Sequence, residues 1–207
     1  MLRIGLLSDT HGFFDERITE YFGSCHEVWH AGDIGDFEVI SKLSRIAPVI
    51  AVYGNIDGSP IRSRYPCHQR LIREGVDIWM THIGGYPGNY DSKVKPGIFE
   101  KPPGLFISGH SHILKVLPDK KLGLLHMNPG SAGRNGLQRG ARVVFQVSDG
   151  ARGTRYDGGC RSGGGMAWSN SMTESRRGPD KGRLRLGCKN PLLPATLRLE
   201  CRRAPTS

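Results

Sequence analysis

LLSDTHG, residues 6–12, decides how the rest of the chain is read. An apolar run delivers Ser8, Asp9, Thr10 and His11 into a glycine, so a strand ends in a carboxylate and an imidazole two residues apart. Ser, Thr and Asp all cap helix N-termini well, which makes a capped helix the plain reading. A metal site is the alternative. The later strand ends decide between them.

Outward from this stretch the chain alternates. LRIGLLS (2–8), EVWHAGD (27–33) and PVIAVYGN (48–55) read as strands. Between them DERITEYFG (15–23) and DFEVISKLSRIA (36–47) carry apolar residues at helical spacing, with Asp15 and Asp36 placed as caps. Strand, helix, strand, helix, strand implies parallel pairing through right-handed crossovers. After Asn55 the rhythm changes to short strands broken by Gly, Pro and Asp: RLIREG (70–75), VDIWMTH (76–82), GLFISGH (104–110), HILKVLPD (112–119), LGLLHMN (122–128) and RVVFQVSD (142–149). That pattern reads as antiparallel sheet. The fold class is therefore α/β in the first third and mostly β afterwards, with two sheets face to face.

Charge and composition divide the chain near residue 150. The net charge is +10, but residues 1–149 hold 17 Lys and Arg against 15 Asp and Glu, and residues 150–207 hold 12 against 4. The basicity belongs to the last quarter and says little about the first three. Residues 150–207 also carry 10 glycines and hardly any apolar periodicity, with ATLRLEC (195–201) the best candidate element. They read as a basic tail, disordered by composition or translated from a shifted frame. A nucleic-acid-binding arm is the functional alternative for the tail, weakened by the lack of interleaved aromatics. Five cysteines with no CxxC pair argue against a disulfide framework and fit a reducing cytoplasm. No window approaches the run of about 18 apolar residues that a membrane span needs, and the N-terminus has no signal-peptide pattern.

Ligand-type residues recur where strands end. Asp9 and His11 follow the first strand, Asp33 closes HAGD, Asn55 closes VYGN, His82 ends IWMTH, and His110 and His112 form GHSH. In open α/β sheets, ligands gather at the carboxyl ends of strands, so these loops are expected to converge. Carboxylate, imidazole and amide oxygen without thiolate suit Mn, Fe, Ni or Zn, and argue against a structural zinc site. Seven ligands are too many for one such ion and fit two sharing a carboxylate. Glycine before Asp33, Asn55 and His110 permits close backbone approach. Singly, Asp9 reads as a cap, His82 as a structural histidine and HxH as two side chains on one strand face. Type, number and placement together favour a dinuclear site.

The ordered set SDTHG, HAGD, YGNID, MTH, GHSH and NPGS resembles the calcineurin-like metallophosphoesterases, in particular the YfcE-like phosphodiesterase branch, over about residues 1–149. The resemblance implies a four-layer αββα sandwich of two mixed sheets, with the metal site at the C-terminal ends of the strands. It implies Asp9, His11 and His112 on one metal, Asn55, His82 and His110 on the other, and Asp33 bridging them. The expected activity is hydrolysis of phosphodiester, or phosphomonoester, bonds in a small-molecule or nucleotide-type substrate. Asp33, His82 and His110 are the catalytic candidates, Mn2+ is the first-choice ion of the pair, and a hydroxide between the ions is the attacking group. A departure lies at Ile56, where many relatives carry a histidine able to protonate the leaving oxygen; the YfcE-like branch commonly lacks it. His30 reads as a packed structural residue or a partner behind the ligands, His26, His68 and His126 as surface or structural. Asn128 reads as turn geometry supporting the site, and Arg134 and Arg139 as surface arginines within reach of a substrate phosphate. The competing class is a non-catalytic protein-binding scaffold on the same fold, as in the retromer subunit; intact ligand positions argue against it.

Overall fold

The computed structural model describes residues 1–134 in full, together with the backbone of the strands at 142–149, 171–174, 183–189 and 195–202. β1 (Leu2–Leu7), β2 (Glu27–Ala31) and β3 (Val49–Val52) pair in parallel, joined by α1 (Arg17–Phe22) and α2 (Phe37–Ser44). This is the expected crossover arrangement. Asp36 caps α2 by accepting the Glu38 amide. Asp15 acts just ahead of α1: its Oδ1 accepts the Arg17 amide at 3.0 Å while its carboxylate pairs with the Arg17 guanidinium. β11 (Arg142–Asp149) runs antiparallel on the free side of β1.

The second sheet corrects the reading of residues 70–128 as antiparallel. Its order is β4 (His68–Arg73), β5 (Val76–Thr81), β8 (Leu105–Ile107), β10 (Leu124–Pro129), β9 (Leu114–Asp119). β4–β5 and β10–β9 are antiparallel hairpin pairs, but β5–β8 and β8–β10 are parallel. The parallel pairing follows from an intervening segment that the sequence pattern did not reveal. A short hairpin, β6 (Gly85–Tyr86) with β7 (Asn89–Tyr90), and α4 (Lys95–Glu100) carry the chain back so that β8 starts alongside β5.

Burial separates four layers. Ile4, Leu6, Trp29 and Val52 from the first sheet meet Ile78, Met80, Ile107 and Met127 from the second, all fully buried between the sheets. Leu7, Val28 and Ala51 face the other way, onto Ile18, Phe22, Val39 and Leu43 of α1 and α2. Trp79, Phe106 and Leu124 face the opposite side, onto Ile98 of α4 and Val94 just ahead of it. The alternation of Leu6 and Leu7 to opposite faces is the period-two signature of a strand buried on both sides. The architecture is the expected αββα sandwich of two mixed sheets.

ATLRLEC lies within β14 (Ala195–Arg202), which pairs antiparallel with β11; β13 (Arg183–Lys189) and β12 (Ser171–Glu174) continue that sheet. The reading of the remainder of 150–207 as a disordered or frame-shifted tail lies outside the described residues. Among the described residues no helix is long and apolar enough to cross a membrane.

α1 packs close because β1 carries glycine opposite Phe22: a Cβ on Gly5 would stand 2.6 Å from the Phe22 ring. Gly5→Ala overpacks this contact and is expected to cost about 1–3 kcal/mol of stability. Chemical denaturation measures it, and an unchanged midpoint would show that the α1 layer slides freely.

Candidate metal centre

The ligand-type residues do converge. β1 and β2 end in the loops carrying Asp9, His11 and Asp33, and β5 and β8 in those carrying His82, His110 and His112. All six leave C-terminal strand ends of two facing sheets. Two groups result, Asp9–His11–His112 and Asp33–His82–His110, each with its donor atoms within 4.8 Å of one another. Asn55, at the exposed rim, lies between two residues whose backbones abut Asp33. The Ile56 amide donates to Asp33 Oδ1 at 3.1 Å, and a Cβ on Gly54 would overlap Asp33.

Within the groups, ligand-type atoms crowd together. His82 Nδ1 lies 2.8 Å from the Ala31 carbonyl and donates its proton there, which turns Nε2 toward the carboxylates. Nε2 stands 3.2 Å from Asp33 Oδ1 and 3.9 Å from Asp9 Oδ1. Among the described residues neither His82 Nε2 nor Asp9 Oδ1, both buried, has a partner in hydrogen-bonding geometry. Asp9 Oδ2 is satisfied by the His110 amide at 3.2 Å, which leaves Oδ1 aimed at His112 Nε2, also at 3.2 Å. Asp33 turns one oxygen to each group: Oδ1 to His82, Oδ2 to His11 at 3.9 Å. His11 and His112 meet Nε2 to Nε2 at 3.2 Å. Buried polar atoms are normally paired, and carboxylate oxygens and imidazole nitrogens converging this closely are what divalent cations fill. The residues present fit a pair of such ions.

Burial pushes the Asp9 carboxyl above its ordinary range, outweighing Ser8 and the nearby histidines. Burial acts the same way on Asp33, but His82, the Ile56 amide and His11 together hold that carboxyl below it. His82 loses charge stability to burial and regains more from Asp33 and Asp9, so its pKa is raised. Two carboxylates pushed in opposite directions around one histidine are a pattern that clusters at functional sites.

The backbone is strained at the same residues. Asp9, His11, Asp33, His110 and His112 all adopt φ between +50° and +67°. Among the described residues one other non-glycine has a positive φ, Glu74 at +48° in the tight turn between β4 and β5. Left-handed conformations for non-glycine residues cost about 1–3 kcal/mol each and persist where the surroundings impose them. Asp9 is therefore no helix cap.

Supporting hydrogen bonds hold these turns. Thr10 Oγ1 donates to the Ile34 carbonyl at 2.9 Å and accepts from His30 Nε2 at 2.9 Å, while His30 Nδ1 accepts the Gly32 amide at 3.2 Å. His30 is fully buried, as a packed residue would be, and it also ties the first ligand loop to the second. Ser131 Oγ and the Gly133 amide both donate to the Asp9 carbonyl. Asn128 Nδ2 donates to the Gly109 carbonyl at 2.7 Å and its Oδ1 accepts the Gly130 amide, the expected turn role beside GHSH. His126 is buried and bonded to Ser108, His26 accepts the Arg3 amide, and His68 stands edge-on to Trp79. Arg134 lies exposed with its guanidinium 4.4 Å from the Phe13 ring centroid. Arg139 lies outside the described residues. Sequence reasoning passed over Asp57 and Arg62; the only signal for Asp57 was a carboxylate two residues after Asn55 in GNIDG.

The description of a calcineurin-like phosphoesterase superfamily domain matches residues 2–150. A probable metallophosphoesterase of Methanocaldococcus jannaschii is 30% identical over 136 residues, 62% of this chain and 67% of that protein. Among solved structures, an archaeal phosphodiesterase superposes with a TM-score of 0.56 at 23% identity, covering 70% of this chain and 93% of its own. Vps29 of Entamoeba histolytica, solved in complex with zinc, gives 0.56 at 16% identity, covering 70% and 86%. At these identities the two structures speak for the fold alone.

Burial holds the His30 pKa down to about 3 from the usual 6.5. The unfolded chain takes up a proton near pH 6.5 that folded His30 refuses until about pH 3. Stability therefore falls as pH drops through that window, by up to about 1.4 kcal/mol per pH unit from this residue. His30→Gln is expected to show a shallower fall between pH 6.5 and 4 in chemical denaturation, by about one proton. Identical slopes in the two proteins would remove His30 as the cause.

Proposed function

The chain belongs to the calcineurin-like phosphoesterase superfamily, and on that premise we propose that it hydrolyses phosphodiesters with the help of two divalent cations. The observation that carries this reading is Asp33, whose two oxygens turn to two separate donor groups, each with a buried atom that lacks a hydrogen-bond partner among the described residues. Asp9, His11 and His112 would hold one ion, His82, His110 and Asn55 the other, and Asp33 both. The donor set suits manganese first, with nickel, iron and zinc as alternatives. When bound, the pair supplies an activated water and neutralises charge on the phosphoryl oxygens.

The chain's own residues do the rest. The Ala31 carbonyl accepts the Nδ1 proton of His82 and so directs Nε2 inward as the ligand atom. His110 packs edge-on to His82, ring centroids 5.3 Å apart, and is itself exposed, which sets it where a substrate oxygen arrives. Ile56, next to Asn55, is 47% exposed and carries no titratable proton. The leaving oxygen therefore departs without a side-chain acid at that position, which favours diesters with good leaving groups.

Turnover of an aryl phosphodiester is expected to vanish on chelation and to return with Mn2+. Asp33→Asn should bind fewer ions and lose about 10²–10³-fold or more in kcat. Full activity in that variant would end the two-cation reading; a wild-type protein that folds, binds cations and turns over no phosphoester would support the scaffold alternative.

Across a series of diesters, kcat/KM is expected to rise steeply as the leaving-group pKa falls. A flat series would reveal a general acid elsewhere in the site.

A further inference from the structure

Asp57 lies outside the ligand set, yet its carboxylate is used by three donors from two ligand loops. It is 3% exposed. Oδ1 accepts the Gly35 amide at 2.7 Å, and Oδ2 accepts the Ile34 amide at 3.2 Å and the Gly54 amide at 2.7 Å. Ile34 and Gly35 directly follow Asp33; Gly54 directly precedes Asn55. One side chain thus staples the loop carrying Asp33 to the loop carrying Asn55, gripping each at residues adjoining the ligand.

The same staple reaches the first ligand loop. The Gly12 amide donates to the Ile34 carbonyl at 2.8 Å. Gly35, with φ +82°, approaches the His11–Gly12 backbone so closely that a Cβ would overlap it. From the far side Arg62 holds the Asn55 loop by its carbonyls. Its Nε donates to Asp57, and its Nη2 to Asn55 at 2.9 Å and to Gly54 at 3.3 Å, while its guanidinium rests 4.8 Å from the Tyr53 ring centroid. These bonds are made among the chain's own groups and grip the backbone on both sides of the ligands. That is the arrangement of a preorganised site.

We propose that Asp57 is a positioning residue that fixes Asp33 and Asn55 relative to one another and so sets the cation affinity of the Asp33–His82–His110 position. The proposal rests on the two-cation reading above. Only a carboxylate serves all three donors with two oxygens; an amide of the same shape keeps one oxygen and turns an NH2 toward an N–H.

The test compares the wild-type chain with Asp57→Asn. Mn2+ calorimetry is expected to show two weakened binding events, one by about 10–100-fold, the range for groups that orient metal ligands, and the other, which shares only Asp33, by less. In cation-free protein the amides of Ile34, Gly35 and Gly54 should exchange with deuterium faster than in wild type. With excess Mn2+, kcat on the aryl diester should recover while KM stays at the wild-type value. Wild-type affinity at both positions would overturn the proposal, as would equal weakening of both with a lowered Tm, which assigns Asp57 to general folding. If Asp57→Asn does not fold, Arg62→Met loosens the same loop from the other side: a greater loss at one position supports the proposal, and equal loss or none overturns it. A wild-type protein that binds no Mn2+ overturns the two-cation reading and this proposal together.

Discussion

Ligand-type atoms buried against one another are the constraint on which the structure turns. Asp9 Oδ1 and Asp33 Oδ1 approach His82 Nε2 at 3.9 and 3.2 Å, and among the described residues neither Asp9 Oδ1 nor His82 Nε2 has a partner in hydrogen-bonding geometry. Burying such groups is costly unless they are paired or coordinate a metal. Left to itself, the backbone would relax and let them part. It cannot, because the ligands sit in left-handed turns tied down by Thr10, His30, Ser131, Asn128 and Asp57.

Each donor group draws on both sheets, so its internal distances are set by the packing of one sheet on the other. Asp9 and Asp33 leave the first sheet, and His82, His110 and His112 leave the second; the apolar layer of Ile4, Leu6, Trp29, Met80 and Ile107 fixes the gap between them. Close-packed interiors transmit changes of a single methylene. Side chains far from any ligand thus govern the Asp9–His82 and Asp9–His112 distances. The site belongs to the interface between two sheets more than to any one motif.

Much of this was legible beforehand. The ligand types declare themselves because metal chemistry restricts them to few residues, and their position at strand ends follows from α/β topology. Asp15 and Asp36, flanked by helical spacing, were legible as end-of-helix residues for the same reason. The pairing of β5, β8 and β10 was not. Short apolar strands look alike whichever way they run, and direction is decided by connections such as α4, whose KPGIFE has no amphipathic period. The supporting groups were obscure for another reason. Asp57, His30 and Thr10 act on backbone amides and carbonyls or on one another, contacts that carry no sequence pattern of their own. His30 was readable as buried, but its bond to Thr10 exists only once β1 and β2 lie side by side.

The Asp9–His112 contact spans more than a hundred residues of chain. Neither donor group can assemble from a nascent segment: the first needs residues 9 and 112, and the second needs 33 and 110. A partially synthesised chain offers at most part of each group. Closing such long loops and pairing parallel strands is slow. Metal selection is thereby deferred to the finished fold, where geometry, rather than whichever ion first meets the emerging chain, decides what is held.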